Sequence, residues 1–502
     1  MKKNIGKIKD KINIENILCF FIIICPILDM LSFIFRNMFN TNISPSTILR
    51  PIIPISIIIY LFFKKGSKFK LYTILSFVGF GLYGLVHLYM FNKVKTGSSY
   101  SGIIHEAQYI VNYSFMILNL FIYVYTFKDK DIEKLKKSIL YSSCIYICSI
   151  YISIITKTSS HTYLEEAMGY KGWFESGNSI GAIFLLSMFI YISYIKNKKY
   201  KKIVIPLLCL IGIFLMFLIG TRVGLFGFIL VILLYIITQV FYSLLHNNKI
   251  NKKIIGIGSI SIVVITVIIL IFGSTTLERR KHLKEIENNI IDDNQGEKSH
   301  ITGDLLDIKN KIDQNELEEG YMKEAQKQSI IELYNIANKI NLSNNDQRMQ
   351  QLIYNFSLVK NQKNIGLILF GNGYVANFRE LILEMEIPAF LFNFGLIGFA
   401  IYFMPFLSIF IYGAYIGIKN IKKIDDEYIM ILFASGFTFA LSFFSGYTFF
   451  NSSSMIIIVV INTILINKIY KIKKGAPDEE NFVWNNKSNI RRSRKSFSRL
   501  SK

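Results

Sequence analysis

The chain has 502 residues, of which 52% are hydrophobic and 18% are charged, and its formal net charge is +23. A soluble chain of this length would carry more charge and divide into several domains, so the composition excludes an ordinary soluble enzyme. The apolar residues form blocks long enough to cross a bilayer as helices, and they lack the period-2 alternation of a transmembrane β-barrel.

Twelve apolar segments predict membrane-spanning helices, because backbone polar groups inside a bilayer must be paired within their own segment. The segments are residues 15–36, 46–63, 70–91, 108–127, 137–156, 177–196, 202–219, 222–243, 253–273, 388–416, 428–447 and 452–470. No small-residue cleavage site follows the first segment, so we interpret it as an uncleaved helix. We therefore expect an all-α, polytopic membrane protein.

The distribution of Lys and Arg predicts the orientation of these helices. Strongly basic linkers alternate with less basic ones, and the positive-inside rule places the basic linkers and both termini in the cytoplasm. These linkers are residues 64–70, 128–137, 196–202, 249–253 and 419–423. The tail, residues 471–502, has ten Lys or Arg against three acidic residues. We interpret it as a solvated segment near anionic lipid, with no nucleic-acid partner.

A large polar segment, residues 274–387, separates the ninth and tenth predicted spans. Residues 277–386 hold 18 acidic and 14 basic residues, whereas the rest of the chain holds 16 acidic and 43 basic residues. This reversal predicts an extracytoplasmic location. Apolar residues at helical spacing within 331–362 predict a small helical domain. The chain thus divides into spans one to nine (1–273), an outer loop domain (274–387), spans ten to twelve (388–470) and a cytoplasmic tail (471–502).

Ionisable residues within or beside membrane spans are costly to bury, so they mark candidate sites. Asp29 in the first span and Arg50 at the start of the second could form an ion pair, which we interpret as structural rather than catalytic. The segment 165–181 leads into the sixth span, and its aromatic residues suit a membrane interface. Its Glu175 and Asn178, together with Arg50 and Asp29, could line a sugar or lipid site.

Two arginines on the predicted outer side are candidates for binding phosphate. Arg222 lies in GTRVG (220–224) at a helix boundary, where glycines permit close approach; the alternative is helix packing beside an interfacial arginine. Arg348 lies in the polar segment and by itself would be a solvated side chain. Two guanidinium groups facing one cavity would suit a diphosphate, because each can bind phosphate oxygens in a bidentate manner.

Two carboxylates, Glu384 and Glu386, directly precede an apolar span. A carboxylate at a membrane entrance can act as a proton acceptor; the alternative is that both only stabilise the N-terminus of the following helix. Residues two apart on a helix point about 200° apart, so we expect one of the two to face the site. These features describe an outward-facing polar cavity without naming its substrate.

With these motifs in this order, the chain resembles the O-antigen ligase/polymerase family of bacterial envelope glycan proteins. GTRVG looks like the family's small-Thr/Ser-Arg-Gly motif. The run from Arg348 to Leu352 looks like its Arg-x3-Leu motif, followed by LFGNGY (369–374). The segment from Glu384 to Gly395 and Gly398 looks like its His-Asn-x9-Gly-x-x-Gly motif, with Glu384 where ligases carry His. That departure fits the polymerase branch better than the ligase branch.

The resemblance implies a GT-C-type membrane glycosyltransferase that needs no cofactor or metal. Its partners would be membrane lipid, an oligosaccharide on undecaprenyl diphosphate, and other polysaccharide-assembly proteins of the bacterial cytoplasmic membrane. Arg222 and Arg348 would bind the diphosphate leaving group. Glu384 or Glu386 would deprotonate the acceptor hydroxyl, and the match to the family's His favours Glu384. The implied product is a cell-surface polysaccharide built from repeat units, with inversion at the anomeric carbon.

Three other functions remain open at this stage. A ligase would transfer a finished glycan to another acceptor. A flippase or transporter of lipid-linked oligosaccharide would usually show internal repeats, and the two halves of this chain show none. An envelope protein whose outer loop only binds a partner would leave GTRVG, Arg348 and the two glutamates without a role.

Overall fold

The computed structural model describes residues 13–39, 45–97, 99–163, 167–195, 201–246, 304–342, 346–375 and 381–474, with isolated positions between 256 and 281. The predicted span 253–273, the first part of the polar segment and the tail beyond residue 474 lie outside this description.

The described residues are mostly helical. The helices that precede the polar segment are α1 (Ile14–Phe39), α2 (Pro45–Lys64), α3 (Ser67–Val94), α4 (Ile103–Phe127), α5 (Glu133–Ile155), α6 (Gly177–Ile195), α7 (Lys201–Ile219) and α8 (Arg222–Leu245). The helices from the polar segment onward are α9 (Asp304–Asp313), α10 (Glu324–Lys339), α11 (Gln347–Gln362), α12 (Ile365–Phe370), α13 (Glu386–Tyr402), α14 (Met404–Lys419), α15 (Asp426–Phe444) and α16 (Ser452–Lys474).

Eight helices of the described chain are long and apolar enough to cross a membrane. They are α1, α3, α4, α5, α6, α8, α15 and α16, and the pair α13–α14 makes nine if it is one span. Helices α2 and α7 coincide with two more predicted spans, but only a shorter apolar stretch, Leu210–Ile219, is found in α7. The chain is therefore a polytopic helical membrane protein.

The tenth predicted span, 388–416, is not one straight helix. It consists of α13 and α14, which meet at Phe403 with a bend of 47°. Pro405 lies in the first turn of α14, where its missing N–H is tolerated, but in a continuous helix it would remove a hydrogen bond. Hydropathy alone did not predict this break, because it takes no account of the position of the proline.

A two-stranded antiparallel hairpin is an addition to the expected all-α fold. Strand β1 (Ser160–Tyr163) pairs with β2 (Met168–Gly172) between α5 and α6. Thr162 Oγ1 donates to the carbonyl of Ile219 at 2.8 Å, which attaches the hairpin to the end of α7. Strands of four and five residues produce too little alternation to be recognised from the sequence.

Helices α6 and α16 lie at the centre of the bundle, with 89% and 78% of the residues in their apolar stretches buried. Helix α16 packs against α4, α6, α14 and α15. The buried side chain of Asn462 on this helix is paired: its Nδ2 donates to the carbonyl of Ile458 at 2.9 Å, and Ser435 Oγ donates to its Oδ1 at 3.1 Å. Polar groups without water need such partners, so these contacts help to align the helices.

The helices of the polar segment form a second apolar core. Leu333, Tyr354 and Leu358 of α10 and α11 are fully buried there, together with Phe91 of α3. Lys360 Nζ pairs with Glu332 at 2.9 Å and lowers the pKa of that carboxyl group. Because Phe91 belongs to a membrane helix, this loop domain (residues 304–375) is packed directly on the bundle.

Candidate active site at one end of the helix bundle

Arg348 connects the loop domain to the helix bundle. It is the second residue of α11, and its Nε donates to Glu384 Oε2 at 3.3 Å. Its Nη2 donates to the carbonyl of Ser445 at 3.3 Å, and its Nη1 donates to the carbonyl of Phe444. Since a guanidinium has five N–H donors, these three bonds leave two for a further acceptor. The side chain is 37% exposed, so such an acceptor could reach it.

Glu384 lies beside Arg348 and is equally accessible, with 37% of its side chain exposed. Its backbone N–H donates to Gln351 Oε1 at 3.0 Å, so α11 holds the segment before α13. Gly446 lies against the backbone of Glu384: a Cβ on that glycine would be 2.4 Å from the carbonyl oxygen of Glu384. The carboxylate therefore faces the arginine within a closely packed backbone frame.

Glu386 has a different environment from Glu384. Its side chain is fully buried, and its carboxylate accepts backbone N–H bonds from Thr448 at 2.6 Å, Phe449 at 2.9 Å and Phe450 at 2.7 Å. Three donors occupy three of the roughly four acceptor sites of the carboxylate and fix the loop between α15 and α16. Glu386 thus organises the loop, whereas Glu384 remains available to a substrate.

The GTRVG motif forms the start of α8. Gly220 has φ +72°, and the Oγ1 atom of Thr221 caps the helix by accepting from Gly224 N at 3.2 Å. Glycine adopts this left-handed conformation without the steric penalty of a Cβ. Arg222 is the first residue of α8; its side chain lies outside the description. The motif is therefore a capped helix N-terminus, as its position at a helix boundary predicted.

Helix α6 begins beside the start of α8. A Cβ on Gly181 would lie 3.6 Å from Thr221 Oγ1 and 3.9 Å from the Cα of Gly224. Asn178 Nδ2 donates to the carbonyl of Ser445 at 3.4 Å, which is the same oxygen that Arg348 contacts. The positive end of the α6 dipole therefore lies near Arg348, with the start of α8 packed against α6, and a helix N-terminus favours a negatively charged ligand.

Glu175 lies in the loop that precedes α6, and its carboxylate does not pair with Arg348 of the Arg348 cluster (Arg348, Glu384 and Asn178). It pairs with Arg36 of α1 at 3.0 Å, and both side chains are nearly half exposed. An ion pair this exposed contributes little to stability. Lys171 Nζ donates to the backbone carbonyl of Glu175 at 3.0 Å, and burial lowers the pKa of the Lys171 ammonium.

Asp29 and Arg50 form the ion pair predicted across the first two helices, with Asp29 Oδ1 2.6 Å from Arg50 Nη2. Tyr146 OH and Ser453 Oγ each donate to Asp29 Oδ2 at 2.5 Å. The pair thus joins α1, α2, α5 and α16. Of the residues predicted to line a sugar or lipid site, Asp29, Arg50 and Glu175 border one cavity, while Asn178 belongs to the Arg348 cluster.

A buried His–Glu pair, which the sequence did not predict, holds the LFGNGY turn. His87 Nε2 lies 3.0 Å from Glu106 Oε1, and neither side chain is exposed. The other ring nitrogen contacts the carbonyl of Phe370 at 2.6 Å, and Glu106 Oε2 accepts from Tyr374 N at 3.1 Å. Ionisable residues in apolar helices were the available signal, but the predicted fourth span began at residue 108 and left Glu106 outside.

The fold and the site define a class of protein: a polytopic helical membrane protein in which an arginine of the loop domain meets a carboxylate of the segment before α13 at one end of the bundle. The sequence matches the family described as O-antigen ligase like membrane protein over residues 11–472. The chain therefore belongs to this family. Membership in this family implies an activity of the glycosyltransferase type, in the membrane, on lipid-linked oligosaccharide. No curated protein and no solved structure matches the chain.

Proposed function

We propose that this protein is a GT-C-type glycosyltransferase that polymerises repeat units of a cell-surface polysaccharide. The donor is an oligosaccharide on undecaprenyl diphosphate, and the acceptor is a hydroxyl of a second glycan. The observation that carries the proposal is the Arg348–Glu384 contact of 3.3 Å beside the N-termini of α6 and α8. This arrangement combines groups that bind an anion with a group that accepts a proton.

The reaction needs one displacement at the anomeric carbon. The acceptor oxygen attacks this carbon and forms the new glycosidic bond, while the bond to the diphosphate oxygen breaks and undecaprenyl diphosphate leaves with the electron pair. Attack from the opposite face inverts the configuration. The two free N–H groups of Arg348, together with Arg222, stabilise the charge that develops on the leaving group. The acceptor proton passes to Glu384 and then to solvent.

The proposal includes a location. The Arg348 cluster lies on the outer face of the bacterial cytoplasmic membrane, residues 274–387 form the extracytoplasmic domain, and both termini are cytoplasmic. Nine spans precede that domain and three follow it. The charge bias of the linkers supports this orientation, and other polysaccharide-assembly proteins would deliver the lipid-linked substrate.

Substitution of Arg348 tests the proposal. Arg348→Ala should abolish transfer from a lipid-linked donor in reconstituted membranes, because the leaving group loses its bidentate partner. Arg348→Lys should restore little activity, since an ammonium does not reproduce the planar fork of donors. Incorporation of labelled repeat units into long glycan measures both variants.

The matched control for this substitution is Lys360→Ala on the same helix, a partly exposed residue that pairs with Glu332 within the loop domain. This variant should transfer normally. Near-normal polymer from Arg348→Ala would remove this residue from the mechanism. Chain-length analysis after gene deletion separates the alternatives: loss of long chains supports polymerisation, and loss of attachment of otherwise normal chains supports ligation.

A further inference from the structure

A polar cavity of about 230 Å³ lies among α1, α2, α4, α5, α6 and the loop before α16. Its polar lining includes Asp29, Ser32, Ser46, Arg50, Asn112 and Asn451. The mechanism above uses none of these residues. A polar space of this size would hold about eight waters at their liquid volume of roughly 30 Å³ each, so a ligand with hydroxyl groups could replace them.

The charges that border the cavity are balanced. Arg50 is paired with Asp29 at 2.6 Å, and Arg36 is paired with Glu175 at 3.0 Å. A diphosphate would have to compete with both carboxylates for these arginines. The cavity therefore favours an uncharged polar ligand, in contrast to the Arg348 cluster.

Two lining residues retain hydrogen-bonding capacity. The Asn112 side chain is exposed to the cavity and makes no hydrogen bond to the rest of the described chain. An asparagine offers two donors and an acceptor, so it can bind a vicinal pair of hydroxyls. Arg50 Nε also has no hydrogen-bond partner among the described residues, but it is buried, so a ligand in the cavity would reach it only after a movement of the side chain.

The size and the aromatic walls limit the ligand to one ring. Pockets for drug-sized ligands have volumes of roughly 300–1,000 Å³, so a cavity of 230 Å³ is too small for an oligosaccharide. Tyr146, Phe174 and Phe450 supply apolar surface between the polar groups. A sugar ring combines an apolar C–H face with hydroxyls at its edge, and this lining matches both.

The loop between α15 and α16 connects the cavity with the Arg348 cluster. At its start, Ser445 accepts from Arg348, and Gly446 lies against Glu384. At its end, Phe450 and Asn451 line the cavity. Glu386 fixes the backbone between these two ends. A ring bound in the cavity would therefore contact the end of this loop, and Glu384 contacts its start.

We propose that this cavity binds a single uncharged sugar ring at the acceptor end of the glycan. The inference rests on the proposed glycosyltransferase function, and it assigns the acceptor to a place separate from the donor diphosphate. Asn112 binds the ring hydroxyls, and the aromatic side chains cover the apolar face.

A binding measurement tests this proposal without requiring transfer. The full chain in nanodiscs is examined by saturation-transfer-difference NMR with methyl β-glucoside, methyl N-acetyl-β-glucosaminide and glucuronate as probes. The first or the second should give a signal that Asn112→Trp weakens about tenfold or more, an affinity change of about 1.4 kcal/mol. Val111→Trp is the matched control, because Val111 is adjacent on α4 and 50% exposed but does not line the cavity; it should retain the signal.

Other outcomes would overturn the acceptor site. They are equal signals in both Trp variants, no binding of either neutral ring, or preferential binding of glucuronate. Asn112→Leu keeps the side-chain size and removes the hydrogen bonds, so it should weaken the signal even if Asn112→Trp disturbs folding. Arg348→Ala should bind the ring like the unmodified protein. An Asn112 variant that loses ring binding but transfers normally would count against the acceptor site alone. An unmodified protein that binds the ring but does not transfer glycan would count against the proposed function alone.

Discussion

At the scale of single residues, Glu384 and Glu386 are separated by one residue but have opposite surroundings. Glu384 is partly exposed beside a guanidinium, and Glu386 is enclosed by three backbone amides. The helix begins only at Glu386, so the two side chains diverge because one precedes the helix and the other starts it. A proton acceptor must reach the substrate, so the proposed mechanism assigns this role to Glu384.

Isosteric substitutions distinguish these roles. Glu384→Gln should lower the rate of transfer by about two orders of magnitude with the protein still folded, because an amide cannot accept the proton. Glu386→Gln should lower stability by about 1–3 kcal/mol, because an amide NH2 group replaces an acceptor that faces backbone donors. Transfer kinetics and thermal unfolding in detergent measure the two effects.

The two variants must fail in different assays for these roles to hold. A Glu386→Gln protein with normal stability and no transfer would move the proton acceptor to Glu386. Full transfer in both variants would remove the carboxylates from the mechanism.

At the scale of elements, a break inside α13 receives the LFGNGY turn. Gly395 interrupts the helix with φ +70° and ψ −179°. The carbonyls of Phe392 and Asn393 accept instead from Asn372 N at 3.0 Å and Gly373 N at 2.8 Å. A broken helix at membrane depth is tolerated where protein groups satisfy its backbone in this way.

A methyl group at the break should disrupt this junction. In Gly395→Ala, the Cβ would lie 2.4 Å from the backbone N of Gly371, and the residue would keep an unfavourable φ. We expect a loss of stability of at least about 1–3 kcal/mol from the backbone conformation alone, with further loss from the clash. Thermal unfolding in detergent should show a clear decrease in the transition temperature.

The control for this effect is Gly79→Ala. Gly79 lies inside α3 with open space around it, so alanine should be neutral or stabilise the helix by about 0.5–1 kcal/mol. Equal transition temperatures for the Gly395 and Gly79 variants would refute the structural role of the break.

Local patterns in the sequence were sufficient for some elements and insufficient for others. Hydropathy located α1 and α4, and the glycines of GTRVG marked the helix boundary at Gly220. The partners of His87 could not be predicted, because Glu106 and Phe370 belong to other elements. The spacing of residues within one segment carries no information about contacts between elements. For the same reason, the sequence placed Glu384 and Glu386 side by side without showing which carboxylate the loop after α15 would enclose.

At the scale of the whole molecule, orientation in the membrane is a prediction from charge. We expect an impermeant thiol reagent applied to intact cells to label Glu318→Cys in the loop domain and to leave Ser488→Cys in the tail unlabelled, each in a background without the native cysteines. The basic linkers should remain in the cytoplasm, where the positive-inside rule places them. Labelling of both positions after permeabilisation is the control. Protection of position 318 in intact cells, or labelling of position 488, would contradict the predicted topology.

The Asp29–Ser453 contact spans 424 residues of sequence, and Arg348 contacts Phe444 and Ser445 at the end of α15. The ribosome makes these partners last, so α1 and the loop domain are synthesised before α15 and α16. A nascent or prematurely terminated chain therefore lacks the carbonyls that hold Arg348 and the hydroxyl that holds Asp29. Under the proposed function, only a copy translated through α16 can transfer glycan from the lipid-linked donor, and the order of biosynthesis keeps half-made copies inactive.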